Sequence, residues 1–139
     1  MPREPIYKHM SVCPYTISRD ESVERARRFM HDKGVRHLPV LDEGVLVGVV
    51  TERDVERIVA RPGVDLAHTL VEEALTAEPY IVAPDASVAR VAADMARHKY
   101  GCAIVVEAGH VAGVFTTVDA LRVLGKTLNG ASDPVGPRR

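Results

Sequence analysis

The 139-residue sequence has no tryptophan and only six aromatic residues, two Phe and four Tyr. A flat ligand ring would therefore be gripped mainly by aliphatic side chains. Cysteine is nearly absent too. Cys13 and Cys102 form no C-x-x-C pair and define no disulfide framework, so both read as small apolar residues of the interior. No charge sign dominates: 18 Lys and Arg stand against 19 Asp and Glu. A net charge of −1 gives no basic field to draw nucleic acid or an anionic membrane. No apolar run approaches the ~18 residues of a spanning helix. The opening MPREPIYKHM has acid and proline where a signal peptide needs an apolar stretch. The expectation is a cytoplasmic chain that engages neither nucleic acid nor membrane. Catalytic signatures are missing as well, with no G-x-S-x-G, no G-x-x-x-x-G-K-[ST] and no H-E-x-x-H. His9, His31, His68, His98 and His110 lack metal-ligand spacing and read as surface or helix-end residues. The sequence is therefore expected to be neither an enzyme nor a metal protein.

What is present is an ordinary globular composition, 46% hydrophobic and 27% charged, at the length of one compact domain. It is written twice. Shifted by 65 residues, Ile6–Ala60 aligns with Val71–Gly125 without a gap. Identities fall at Pro14/Pro79, Tyr15/Tyr80, Asp20/Asp85, Ser22/Ser87, Val23/Val88, Arg25/Arg90 and Met30/Met95. They continue at Val40/Val105, Gly44/Gly109, Gly48/Gly113, Val49/Val114, Thr51/Thr116, Asp54/Asp119 and Arg57/Arg122. A duplication of this kind governs every later inference about fold.

Each copy predicts the same elements. YTIS and YIVA are short β runs after a proline. Helices follow, with Val23, Ala26, Phe29 and Met30 on one stripe and Val88, Val91, Ala92 and Met95 on the other. Ser22 and Ser87 stand at N-cap positions, and Gly34 at a left-handed C-cap. HLPVL with VLVGVV, and CAIVV with HVAGVF, predict hairpins closed by three-residue loops containing glycine. A last helix spans about 52–60 in the first copy and ends at RPG. Asp65–Leu75 reads as a short helix leading into the second copy. The predicted organisation is a first repeat over 1–62, a second over 63–127 and a disordered tail over 128–139. The fold class is α/β (α+β), two β-α-β-β-α repeats.

GVVTERDV (Gly48–Val55) and GVFTTVDA (Gly113–Ala120) share the pattern G-h-h-T-x-x-D at a strand–helix junction. Thr-x-x-Asp alone is the spacing of a capping box. Its duplication inside a fixed glycine context adds a second reading, a pair of binding positions, and both roles are compatible. With GVRHLPVLDEGVLVGVVTERDV and YGCAIVVEAGHVAGVFTTVDA, the chain resembles the cystathionine-β-synthase (CBS) domain in tandem, over about Ile6 to Leu124. Copy two departs from the family pattern, with Ile104 at the position of Pro39 and Lys99-Tyr100 at that of Gly34-Val35.

The resemblance implies two repeats packed about a pseudo-twofold axis, with clefts for an adenosine-containing ligand. AMP, ADP or ATP would serve, and NAD or S-adenosylmethionine are further possibilities. Asp54 and Asp119 would accept from the ribose hydroxyls, and Thr51 and Thr116 would meet phosphate at a helix N-terminus. Ile17, Val35 and Pro39 from the first copy, with Val82, Tyr100 and Ile104 from the second, would line the adenine slot, and Thr16, Ile81 and Gly101 would be further ligand-binding positions. Arg36, His37 and Arg53 surround the first motif, where the second has Gly101, Cys102 and Val118, so the first cleft is expected to bind more tightly. The functional expectation is a free-standing sensor module, a homodimer through its helices, acting on an unknown regulated protein. The alternative is a ligand-free dimerisation or scaffold module.

Overall fold

The structure, a computed structural model, describes residues 4–12 and 15–132, with side chains described to residue 130. Cys13 lies outside the described residues. Each repeat builds one sheet and two helices. The first half contributes β1 (Ser11–Val12), β2 (Ile17–Ser18), α1 (Val23–Lys33), β3 (His37–Asp42), β4 (Val45–Thr51) and α2 (Glu52–Val59). The second contributes β5 (Ile81–Val82), α3 (Val88–His98), β6 (Cys102–Glu107), β7 (His110–Thr116) and α4 (Thr117–Ser132). In both, a short strand pairs parallel with the first hairpin strand across the intervening helix, β2 with β3 and β5 with β6.

The helices form for the reasons their sequences give. Ser22 Oγ accepts from Arg25 N at 3.0 Å, and Ser87 Oγ from Arg90 N at 3.4 Å. Gly34 ends α1 at φ 67°, and Lys99 takes the same left-handed position after α3 at φ 60°. The apolar stripes face inward. Val23, Ala26 and Met30 join Leu38, Val40, Val50, Val55 and Ile58 in one core, while Val88, Val91 and Met95 join Ala103, Val105 and Phe115 in another. The helical stripes are thus spent on the repeats' own cores and leave no face there for the expected dimer contact. The exposed apolar face is on α4, where Val118, Leu121 and Leu124 are each at least half exposed.

Three local expectations differ from the structure. The hairpin loops have two residues, not three. Glu43 and Gly44 (φ 50° and 84°), like Ala108 and Gly109 (φ 52° and 80°), put both turn residues in the left-handed region, which matches strand twist. A register shift at Val40/Leu41 and at Val105/Val106 absorbs the extra residue. Residues 65–75 are turns and one 3₁₀ turn, Val71–Glu73, not a helix. Their amides are drawn into bonds with distant carbonyls, Val71 N to Glu21 O (2.8 Å) and Glu72 N to Arg19 O (3.1 Å). The tail expected from 128 is helical to Ser132, and 133–139 lie outside the described residues.

Those distant bonds belong to a larger feature: the segment leading into each repeat packs on the other repeat. Ile6 is fully buried in the second core, and Val71 is fully buried in the first. Ile6 N donates to Ala86 O and Val88 N to Glu4 O, while Val71 N donates to Glu21 O and Val23 N to Thr69 O. β1 adds to the edge of β7, and Thr76 bridges Val49 of β4. This explains the duplicated glycine. A Cβ on Gly48 would stand 2.6 Å from Thr76 O, and one on Gly113 would stand 2.7 Å from Ser11 O. Both positions need a residue without a side chain so that the crossing backbone can approach.

A third cluster joins the halves: Val49, Cys102, Ile104 and Val114, with Leu46, Val106 and Val111 packed on it. Among the described residues, no helix is long and apolar enough to cross a membrane.

Candidate functional site

Strand alternation sorts the expected site residues onto two faces. Leu38, Val40 and Val50 point into the first core, so their neighbours His37, Pro39, Val49 and Thr51 take the face toward the second repeat. Likewise Cys102, Ile104, Val114 and Thr116 face the first repeat. Thr16 immediately precedes β2 and the core residue Ile17 and is partly buried. Ile81, in register with Ile104, takes the inter-repeat side of β5 and is half exposed. Ile17, Val35 and Val82 go the other way. Ile17 belongs to the first core, Val35 packs on it, and Val82 packs on the second. For Ile17 and Val82 the reason is the strand period of two, which turns alternate residues to opposite faces, while Val35 lies in the loop before β3. Tyr100 stacks on His98 (5.1 Å) and lies near Tyr80 (5.0 Å). Tyr80 donates its hydroxyl to Asp94 at 2.9 Å, and burial with that bond pushes its pKa up to about 12.

At the edge of the inter-repeat face, both Thr-x-x-Asp motifs form a reciprocal cap. Thr51 N donates to Asp54 Oδ2 at 2.9 Å, and Asp54 N donates to Thr51 Oγ1 at 3.1 Å. Thr116 and Asp119 repeat it at 2.9 and 3.3 Å, and the Thr116 hydroxyl also donates to Asp119 Oδ2. Each second carboxylate oxygen holds an arginine one turn on, Arg57 Nη1 at 3.1 Å and Arg122 Nη1 at 2.9 Å. Asp54 is 4% and Asp119 5% exposed, the two buried charged residues of the described chain. Arg57 and Arg122 are the partners of these acids that the sequence reading missed. Their signal was available in the alignment, as an identity three residues past each acid. The motif is T-x-x-D-x-x-R. A carboxylate has about four acceptor sites, so each acid keeps acceptor capacity beyond its cap and its arginine.

The helix N-termini are less open to phosphate than the sequence implies. Glu52 N already donates to Arg36 O (2.9 Å) and Thr117 N to Gly101 O (3.2 Å). Arg36 and Arg53 are exposed, and Arg36 lies 3.8 Å from Glu52. His37 is half-buried, and burial followed by the Arg36 charge lowers its pKa, against smaller opposing pulls from Asp54 and Glu52. Its Nε2 lies 3.1 Å from where a Cβ on Gly101 would be. His37 therefore sits at the seam, in register with Thr51 and beside Gly101, the residue before β6. Gly101 is the residue that makes room for it. Cys102 is buried in the joining cluster, which pushes its thiol pKa up to about 12. Among the described residues no group of His, Cys, Asp and Glu is arranged to hold a metal.

The CBS domain family matches this chain twice, over residues 6–61 and 71–126. An inosine-5′-monophosphate dehydrogenase from Korarchaeum cryptofilum is 37% identical over 105 residues, covering 75% of this chain and 21% of that enzyme. A homoserine O-acetyltransferase from Methanosarcina acetivorans is 31% identical over 114 residues, 81% of this chain and 20% of the enzyme. The chain thus spans about a fifth of the length of these curated relatives. Among solved structures, an acetoin utilization protein (AcuB) from Vibrio cholerae superposes with a TM-score of 0.82 at 26% identity, over 96% of this chain and all of the other. The CBS domain pair of protein MJ0100, solved with 5′-methylthioadenosine and S-adenosyl-L-methionine, gives 0.82 and 26%, over 91% and 99%.

Proposed function

This chain belongs to the CBS domain family, and from that premise we propose that it is a regulatory pair binding an adenine nucleotide of the AMP, ADP or ATP type at the face between its repeats. The observation that carries the reading is the T-x-x-D-x-x-R cap built twice at the edge of that face, with polar His37 and Thr51 turned toward it beside aliphatic Pro39, Ile81 and Ile104. The solved pair that holds two adenosine-containing ligands supports that ligand class. Ribose hydroxyls would use the remaining acceptor sites of Asp54 or Asp119, and phosphate would meet Arg36 and Arg53. Binding across the seam would favour one setting of the two repeats, which a partner protein reads. The module is proposed as a sensor and not as an enzyme. It is also proposed to be a homodimer, now on the exposed α4 face instead of the buried stripes.

A scaffold with unoccupied clefts is the second reading, favoured by the burial and engagement of both carboxylates. Thermal denaturation with AMP, ADP, ATP, NAD and S-adenosylmethionine separates the two. Ligand at 100 times its dissociation constant adds about 2.7 kcal/mol. Unchanged melting with every one of these at millimolar concentration would select the scaffold.

A further inference from the structure

The repeats diverge in chemistry at a place where their backbones coincide. In the first repeat, Arg19 Nε donates to Glu72 Oε1 at 2.8 Å and its Nη1 to Asp42 Oδ2 at 3.2 Å. One guanidinium thereby ties the residue after β2, the end of β3 and the crossing segment. At the equivalent places of the second repeat stand Pro84, Glu107 and Tyr7. The main-chain bond to the crossing segment repeats: Tyr7 N donates to Pro84 O at 3.0 Å, as Glu72 N does to Arg19 O at 3.1 Å, whereas the bond from Arg19 N to Leu41 O (2.9 Å) has no counterpart at Pro84. Proline has no side-chain cation and no amide hydrogen, so what Arg19 supplies has no counterpart. An open recess of about 590 Å³ occupies the site, lined by Tyr7, Met10, Pro84, Asp85 and Glu107. Among the described residues, neither Asp85 nor Glu107 has an ion-pair partner, and the Tyr7 side chain is 49% exposed.

We propose that this recess receives a guanidinium group from another molecule. Glu107 takes the part that Asp42 plays toward Arg19, Asp85 adds a second carboxylate, and the Tyr7 ring offers a face to the cation. The first repeat supplies the template, since the same fold position there is filled by that group. A guanidinium suits the site better than an ammonium because its planar fork can meet a carboxylate with two bonds while lying on an aromatic face. The source is either an arginine side chain of a partner polypeptide or a free guanidino compound.

Amide NMR titration of the full chain with L-arginine, blocked Gly-Arg-Gly and L-citrulline tests this. Citrulline keeps arginine's shape and loses its charge. Arginine and the tripeptide should give saturable shifts at Tyr7, Asp85 and Glu107, in the millimolar range expected of exposed charge pairs, and citrulline should give none. A tighter tripeptide assigns the site to a partner polypeptide, and a tighter free amino acid assigns it to a small molecule. Glu107→Gln should weaken binding at least fivefold. Pro84→Arg should fill the recess from within and abolish the shifts in a chain whose other resonances keep their positions. Equal response to arginine and citrulline, unchanged affinity in Glu107→Gln, or no saturable shift with either cationic probe would overturn the proposal.

Discussion

Replacing Asp54 or Asp119 by alanine separates what these acids do for the fold from what they do for a ligand. In each cap the threonine amide donates to a carboxylate oxygen at 2.9 Å, and a hydrogen bond to a charged group contributes about 1.5–3 kcal/mol. The Arg57 and Arg122 side chains are 66% and 67% exposed, so each adds only a few tenths of a kcal/mol. The carboxylate also faces the positive end of its helix, worth about 0.3–1 kcal/mol. These terms overlap, and the expected loss is about 2–3 kcal/mol for either alanine, some 5–10 °C in melting temperature for a chain of this length. Urea unfolding followed by circular dichroism should therefore give equal losses at the two positions, because the cap geometries match. Affinity should not be equal. Only the first motif has Arg36 and Arg53 beside it, so calorimetric titration with AMP should show a loss at least tenfold greater for Asp54→Ala than for Asp119→Ala. Measured below the midpoint of the less stable variant, the two effects are independent. A stability change under 0.5 kcal/mol at either position would refute the cap argument, and equal affinity losses would refute the assignment of the basic residues to the first site.

Gly48→Ala and Gly113→Ala should each destabilise by about 2–3 kcal/mol, from overpacking against the crossing backbone. Wild-type stability in urea would contradict that close approach. His37 titrates below its ordinary value of 6.5 in the folded state, so on acidification the unfolded chain takes up its proton first and stability falls as pH drops below about 6.5. His37→Gln should flatten that part of the stability–pH curve, and an unchanged slope would remove His37 from it. Light scattering should give twice the 15.1 kDa chain mass, and Leu121→Glu on α4 should shift it toward monomer. A monomeric wild type at every concentration would end the dimer reading.

Repetition made most of the fold legible. Helix caps at Ser22 and Ser87, the hairpins and both motifs lie where sequence spacing puts them, because each depends on neighbours a few residues away. What the sequence hid is long-range. Residues 65–75 carry a helical pattern, yet their amides bond to carbonyls some fifty residues earlier, a pairing no local window contains. The site was half legible for a similar reason. That Pro39, Ile104 and His37 face the other repeat while Ile17 and Val82 face their own cores follows only from the strands' pairing. The clamp by Arg57 and Arg122 was visible as a repeated identity, but its partner is clear only in space.

The crossing of the leading segments also bears on how the chain acquires its structure. Ile6 leaves the ribosome early, but its seat among Val88, Val91, Met95 and Phe115 is synthesised last. The first half, in turn, lacks Val71 until the connecting segment emerges. The first core is complete once residues up to Leu75 have emerged, whereas the second closes only when Phe115 and Val123 join Ile6, so the two halves close in order along the chain. Two separate half-chains would meet the same requirement by trading their leading segments, as in a domain-swapped dimer. Covalent linkage through residues 62–70 makes that trade intramolecular, so folding no longer depends on protein concentration.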